Sequence, residues 1–270
     1  MGITTPLILV TNDDGIDSPG LHAAVEAVAD LGDPLIVAPL TQQTSMGRSM
    51  PVGIEIGVVG ERLLTIGGRR YPAYAVNGSP AQAVLHAILE LAPRVPSLCV
   101  SGVNYGENLG ASITRSGTVG AALEAAAQQV PAIAMSLEAP LEIHHADGYG
   151  EIDWAVALHV TRLLAERVLQ QGLLDGARLL NVAVPATATL TTALRMTRQS
   201  HQNYYNERTP QPRDITTAYR FFASTGYDLA TLELDSDIYA FAVDRVVSVT
   251  ALTLDLTARQ LSPSWLSRVR

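Results

Sequence analysis

Leu7-Ile8-Leu9-Val10-Thr11-Asn12-Asp13-Asp14-Gly15, followed closely by Ser18-Pro19-Gly20, is the stretch whose reading decides the fold. Four apolar residues ahead of a tight polar turn read as a buried strand. Ser18 suits a helix N-cap and Pro19 the first helical position, and Leu21, Val25 and Val28 then follow helical spacing. A strand, an acidic loop and a capped helix make the first βα unit of an α/β sheet. Ligands of such sheets bind outside the carboxyl ends of the strands. Two adjacent carboxylates therefore stand where a ligand is expected.

Side by side, Asp13 and Asp14 repel each other, and desolvation worsens the repulsion. A hard divalent ion with oxygen ligands resolves it. The plainer alternative is a helix cap with spare charge, because Asp and Asn favour turns. For the loop alone the two readings weigh equally, and the rest of the chain tips the balance.

Composition narrows the class. At 270 residues, nearly half of them apolar, the chain can bury a large core. A net charge of -8 argues against a nucleic-acid polymer or an anionic membrane as partner. Cys99 is the lone cysteine, inside an apolar run, so no intrachain disulfide forms. Leu7 to Val10 is too short for a signal peptide, and no apolar run reaches membrane-spanning length. The expected compartment is the cytoplasm. There is no lysine in the sequence. That excludes Schiff-base chemistry and the Walker lysine, so phosphoryl charge must be met by arginine, backbone N–H groups or metal.

Outward from the first unit, Leu35 to Ala38 is a second strand. It leads into a polar loop, Pro39 to Arg48, that holds Gln42, Gln43, Thr44 and Ser45 beside strand one. Residues 54–67 read as a hairpin turning at Gly60-Glu61. Ser79-Pro80 opens a helix through about Leu91, and Leu98 to Ser101 is the next buried strand. There the second decisive stretch begins: Ser101-Gly102-Val103-Asn104 with Asn108-Leu109-Gly110, then Arg115-Ser116-Gly117-Thr118-Val119-Gly120. Ser116 to Thr118 sits at the N-terminus of an Ala-rich helix, where free N–H groups and the helix dipole make a phosphate seat. An ordinary Ser/Thr cap is the commoner explanation for any one helix.

Beyond it, Ile133 to Leu137 is a strand, His144-His145 are loop residues, Trp154 to Leu169 is a helix, and Leu179 to Val184 is the expected last core strand. Composition shifts after Pro185. Residues 186–235 are short of core formers and read as an arm that packs on another subunit, or else as a flap on their own. In an exchanged arm, Arg198 and Tyr204-Tyr205 approach a neighbour's pocket. Val246 to Thr250 is a strand, and Thr257 onward reads as a terminal helix.

Together these motifs, in this order, resemble the SurE (survival protein E) family of divalent-metal-dependent 5′/3′-nucleotidases. The resemblance covers most of the chain. It implies a Rossmann-like, mostly parallel α/β sheet flanked by helices, with an extended C-terminal β arm and terminal helix exchanged between subunits. That gives one domain over residues 1–270, with a core of 1–185 and an oligomerisation arm and tail of 186–270. It implies one divalent ion per subunit, Mg²⁺ or Mn²⁺, held by Asp13, Asp14, Asn104 and a hydroxyl of the second loop. Ungapped register from Ala38-Pro39 places Thr44 at that hydroxyl, with Ser45 next to it. Phosphate contacts map to Asn12, Ser45, Asn108, Ser116, Gly117 and Thr118, and catalysis to Asp13 and Asp14, as ligand, water-orienting group, base or nucleophile. Expected substrates are nucleoside monophosphates, with 3′-nucleotides and polyphosphate as further possibilities, and the expected assembly is a homo-dimer or tetramer.

Three rivals remain. A dinucleotide-dependent oxidoreductase would carry a Gly-rich first loop where this chain has Asp-Asp. A receiver or aspartyl-phosphate phosphatase ordinarily uses a lysine. A metal-dependent nucleotide sensor without turnover ranks below the enzyme, because every group needed for hydrolysis is present.

Overall fold

Residues 5–141, 149 and 151–257 of the 270 are described by the structure, a computed structural model. β1 (Leu7–Thr11) is buried along its whole length, with Ile8 and Val10 in one core and Leu7 and Leu9 in another. That two-sided burial is why it reads as a continuous apolar run. α1 (Pro19–Val28) returns the chain to β2 (Asp33–Pro39), which pairs parallel to β1. β3 (Val59–Ile66) and β4 (Arg69–Val76) form an antiparallel hairpin, and β4 lies parallel to β2.

α2 (Pro80–His86) starts with a Ser79–Gln82 capping box and ends in a π turn, Ala87–Leu91. β5 (Leu98–Tyr105) then pairs on the other side of β1. A 3₁₀ turn, Ala111–Arg115, leads into α3 (Gly117–Ala127), followed by β6 (Ala132–Leu137), α4 (Ala155–Gln171) and β7 (Leu179–Val184). The later strands are β8 (Leu194–Thr197), β9 (Tyr205–Glu207), β10 (Ala223–Thr225) and β11 (Val247–Leu252).

The main sheet runs β3-β4-β2-β1-β5-β6-β7-β11-β8, and β9-β10 pair apart from it. Succession from β1 goes first towards β2 and then back to β5, so the topological switch point lies between β1 and β5. That is where an open α/β sheet binds its ligand. α1 and α4 cover one face through Leu21, Val25, Val160 and Val168. α2 and α3 cover the other through Val84, Val119 and Ala122. A satellite core of Leu109, Tyr204, Leu232, Ile238 and Phe241 seats the chain after β8 against the loop after β5. Among the described residues, no helix is long and apolar enough to cross a membrane.

β5 carries an irregularity that matters for the site. Its register with β6 passes from Ser101↔Ala134 to Asn104↔Ser136, three steps on β5 against two on β6. The extra residue reverses the alternation of side chains. Cys99 faces the α3 side, yet Val103 lies in the α1/α4 core. Asn104 is thereby turned towards the side on which α3 begins.

Two expectations change. The first hairpin turns at Gly67-Gly68, not Gly60-Glu61. Both glycines have positive φ (+54° and +76°), as a two-residue hairpin turn requires, while Gly60 lies inside β3 opposite Ala75. β7 is not the last strand of the sheet, because β11 pairs antiparallel to it and β8 parallel to β11. Ser18 holds the N-cap position, but its buried hydroxyl makes no cap bond. His144-His145 and the terminal segment beyond Thr257 fall outside the described residues.

Candidate active site

Three loops meet over the switch point. The first is the turn after β1. Asn12 braces it, since its Oδ1 accepts from the Gly15 N–H at 3.2 Å and its Nδ2 donates to the Gly15 carbonyl at 3.0 Å. With both ends of its amide used and no exposed surface, Asn12 shapes the loop.

Asp13 points at the start of α3. The Thr118 hydroxyl donates to Asp13 Oδ1 at 2.6 Å, and the backbone N–H groups of Gly117 and Thr118 bond the same carboxylate. Ser101 holds this corner by donating to the Thr118 carbonyl at 2.8 Å. A Cβ on Gly117 would lie 2.7 Å from the Asp13 side chain, so residue 117 must be glycine for the carboxylate to come this close. Asp13 thus bonds the helix N-terminus that the sequence reads as a phosphate seat. Gly117 and Thr118 position that carboxylate and do not open to the cavity. A carboxylate is favoured at the positive end of a helix.

Asp14 accepts from Gln42 Nε2 at 3.2 Å, and the Tyr105 N–H approaches its Oδ2 at 3.5 Å. The Tyr149 hydroxyl donates to its backbone carbonyl at 3.2 Å. Both carboxylates are held above the ordinary range: Asp13 chiefly by burial, Asp14 by burial and then by the charge of Asp13.

The second loop is tied across both others. The Gln43 N–H donates to the Asp13 carbonyl at 2.6 Å and the Gly47 N–H to the Arg115 carbonyl at 2.9 Å. Arg48 pairs with Glu124 of α3 at 2.6 Å. Thr44 and Ser45 both line the cavity, Ser45 with a left-handed φ of +64°.

From the third loop, Asn104 Nδ2 donates to the carbonyls of Gly106 (2.7 Å) and Tyr105 (3.2 Å), which leaves Oδ1 as the end that can serve a cation. Asn108 is held through its backbone, its N–H on Ser136 Oγ (3.3 Å) and its carbonyl receiving Asn181 Nδ2 (2.8 Å). Its buried Nδ2 has no hydrogen-bond partner. Ser116 caps α3 by accepting from the Val119 N–H at 3.1 Å.

A cavity of about 890 Å³ joins these groups, with Asp13, Asp14, Thr44, Ser45, Asn104, Asn108 and Ser116 all on its wall. Asn12, Gly117 and Thr118 are not on it. The sequence reading missed Gln42, Tyr105 and Tyr149 around Asp14. It also missed Arg115 beside Ser116, and the far wall, formed by Arg208, Arg220, Phe221 and Phe222. Gln42 and Arg115 stood in stretches already singled out, whereas the far wall has no local signal. Tyr205 lines the same cavity and donates to the Glu107 carbonyl at 3.1 Å, while Arg198 pairs with Asp235 away from it.

The donors suit a hard ion. Two carboxylates, an amide oxygen and a hydroxyl are all oxygen donors of the kind a hard ion takes; among the described residues no group of three or more His, Cys, Asp or Glu comes together to hold a metal. Two buried, mutually repelling carboxylates call for a proton or a cation between them.

The chain matches the family model described as survival protein SurE over residues 8–206. It is 40% identical over 252 residues to a Thermococcus kodakarensis protein named 5′-nucleotidase SurE, covering 93% of this chain and 94% of that one. It is 40% identical over 261 residues to a protein of the same name from Methanocella arvoryzae, covering 93% of each. The crystal structure of the SurE protein from Aquifex aeolicus superposes with a TM-score of 0.72 at 29% identity, over 97% of this chain and 100% of that one.

Proposed function

The chain belongs to the SurE family, and from that premise we propose that it is a divalent-metal-dependent 5′-nucleotidase, hydrolysing nucleoside monophosphates to nucleoside and phosphate. The observation that carries the metal-dependent chemistry is the Asp13–Asp14 pair at the switch point, buried, mutually repelling and ringed by oxygen donors.

Asp13, Asp14, Thr44 and the Oδ1 of Asn104 would hold one ion, Mg²⁺ or Mn²⁺. When bound, such an ion neutralises the acidic pair, polarises a phosphoryl oxygen and makes water more acidic. The chain's own groups do the rest. Asp13 is immobilised by Thr118 and the start of α3, which suits a fixed ligand. Asp14, held by the long side chain of Gln42, is the group left to orient the attacking water and take its proton. Asn108, Ser116 and Arg115 line the cavity, and the Ser116 hydroxyl and Arg115 supply donors for the remaining phosphoryl oxygens, with Asn108 Nδ2 as a buried, unpartnered donor beside them. Water adds to phosphorus, the P–O bond to the nucleoside breaks, and the leaving oxygen acquires a proton.

We extend the proposal to 3′-nucleotides and polyphosphate as further substrates, and to a homo-oligomer built through the segment after β8. No observation favours a sensor without turnover. Phosphate release from nucleoside monophosphates, with and without Mg²⁺ or Mn²⁺, is the test. Activity is expected with metal and its loss in excess chelator. Full turnover in the stripped protein would overturn the metal assignment, and no turnover with any monophosphate would overturn the nucleotidase reading.

A further inference from the structure

The cavity that holds Asp13 and Asp14 at one end continues to a wall made by a distant part of the chain, the β9–β10 hairpin and its long connection. At about 890 Å³ it has room for a drug-sized molecule, not only a phosphate group. The far wall has its own chemistry. Phe221 and Phe222 line it, yet each leaves 61% of its surface exposed. Tyr219 meets both rings edge-on, at 5.4 and 6.4 Å between centroids, and the Arg213 guanidinium lies 4.6 Å over the Tyr219 ring. Arg208 and Arg220 share the wall, and the Arg208 N–H donates to the Phe222 carbonyl at 2.8 Å.

This wall is fastened to the phosphate end. Tyr205 bonds the carbonyl of Glu107, Glu207 pairs with Arg115, and Asn203 bridges to Gly110. Two largely exposed aromatic rings lining the cavity, beside two guanidinium groups that can donate to ring nitrogens and carbonyls, match a flat heteroaromatic ring.

We propose that Phe221 and Phe222, flanked by Arg208 and Arg220, form a nucleobase-stacking subsite that makes the enzyme prefer nucleotides to base-free sugar phosphates; this rests on the nucleotidase reading. Exchange of the hairpin between subunits would leave the contacts unchanged, because each cavity would receive a copy of the same hairpin.

The test compares kcat/KM for adenosine 5′-monophosphate and ribose 5-phosphate in the full-length metal-loaded enzyme, in F221A, F222A and the double variant, and in the conservative F222Y. Stacking on one aromatic side chain corresponds to a loss of about 5- to 150-fold on truncation. The nucleotide is expected to lose on that scale, mainly through KM, with ribose 5-phosphate changed by less than about twofold and F222Y close to wild type. Equal losses on both substrates, no loss on either, or a wild type without preference for the nucleotide would each overturn the subsite. Dissociation of the double variant in sedimentation, with both substrates lost, would assign the pair to a subunit contact and overturn it too. A wild type that releases phosphate from neither substrate with Mg²⁺ or Mn²⁺ would remove the nucleotidase reading itself, and the subsite with it.

Discussion

Asp13 and Asp14 stand side by side, each only 3% exposed, so the metal-free pocket carries a repulsion that nothing but a cation or a proton relieves. Asp13→Asn and Asp14→Asn should therefore lower turnover by at least about 100-fold while raising the thermal stability of the metal-free protein and abolishing its gain on adding Mn²⁺. Calorimetry with and without the ion reads both effects, and a variant that still gains wild-type stability from Mn²⁺ would remove that residue from the ligand set. For the fourth ligand, Thr44→Val should weaken metal binding and turnover much more than Ser45→Ala, with Thr44→Ser tolerated. Ser45 sits in the left-handed region and Thr44 supplies a hydroxyl stiff at χ1; the reverse ranking in metal titrations would transfer the role to Ser45. Glu107 gives the pH dependence. It is 4% exposed, receives the Tyr204 and Tyr205 hydroxyls and faces the charge of Glu138, and burial pushes its carboxyl up to about 7. The native state thus keeps a proton that the unfolded chain releases near 4.5. Stability is full below that value and is lost as pH rises through about 7, by on the order of 3 kcal/mol. Glu107→Gln should match wild type at pH 5 and exceed it at pH 8 in chemical denaturation, and an equal difference at both pH values would refute this.

At the scale of elements, the site depends on how closely the second loop lies on α3. Gly120 is inside an Ala-rich helix where alanine would be the better helix former. Yet a Cβ there would stand 2.1 Å from the Gly47 carbonyl oxygen and 2.8 Å from the Arg48 nitrogen. Both are backbone atoms and cannot swing away. Gly120→Ala should push the loop off the helix at a cost of about 1–3 kcal/mol. Because the same loop carries Thr44 and Ser45, metal affinity should fall by about tenfold, equivalent to 1.4 kcal/mol. Isothermal titration of the folded variant checks this, and unchanged affinity would mean that the loop's position is set elsewhere.

At the scale of the whole molecule, the segment after β8 is fastened to the site but poorly covered. Ile215 is 85% exposed, and Leu229 and Leu234 are exposed as well. A monomer does not ordinarily leave so much apolar surface in one segment. We expect a homo-oligomer in which this segment packs on another subunit, and sedimentation should show it at assay concentrations. A fully active monomer would refute the expectation.

The sequence by itself determined the parts in which a function is written in neighbouring residues. The βα unit at Leu7 to Gly20, the buried strands, the start of α3 at Ser116 and the oxygen-donor loops were legible because each is fixed by local periodicity, caps and turn chemistry. Family motifs then linked Asp13, Asp14, Thr44, Asn104, Asn108 and Ser116 before any of them was seen to share a cavity. Only the tertiary structure decided what depends on distance between remote segments. Gly67-Gly68 beat Gly60 as the hairpin turn because pairing with β4 sets the register. Asn104 reaches the α3 side because an extra residue in β5 reverses its alternation. The start of α3 holds Asp13 because pairing of β1 with β5 brings the carboxylate there. Phe221 and Phe222 join the cavity because a hairpin more than a hundred residues away folds over the loop after β5. A side chain's partners across such separations follow from the sheet order and the packing of layers, and no local pattern encodes them.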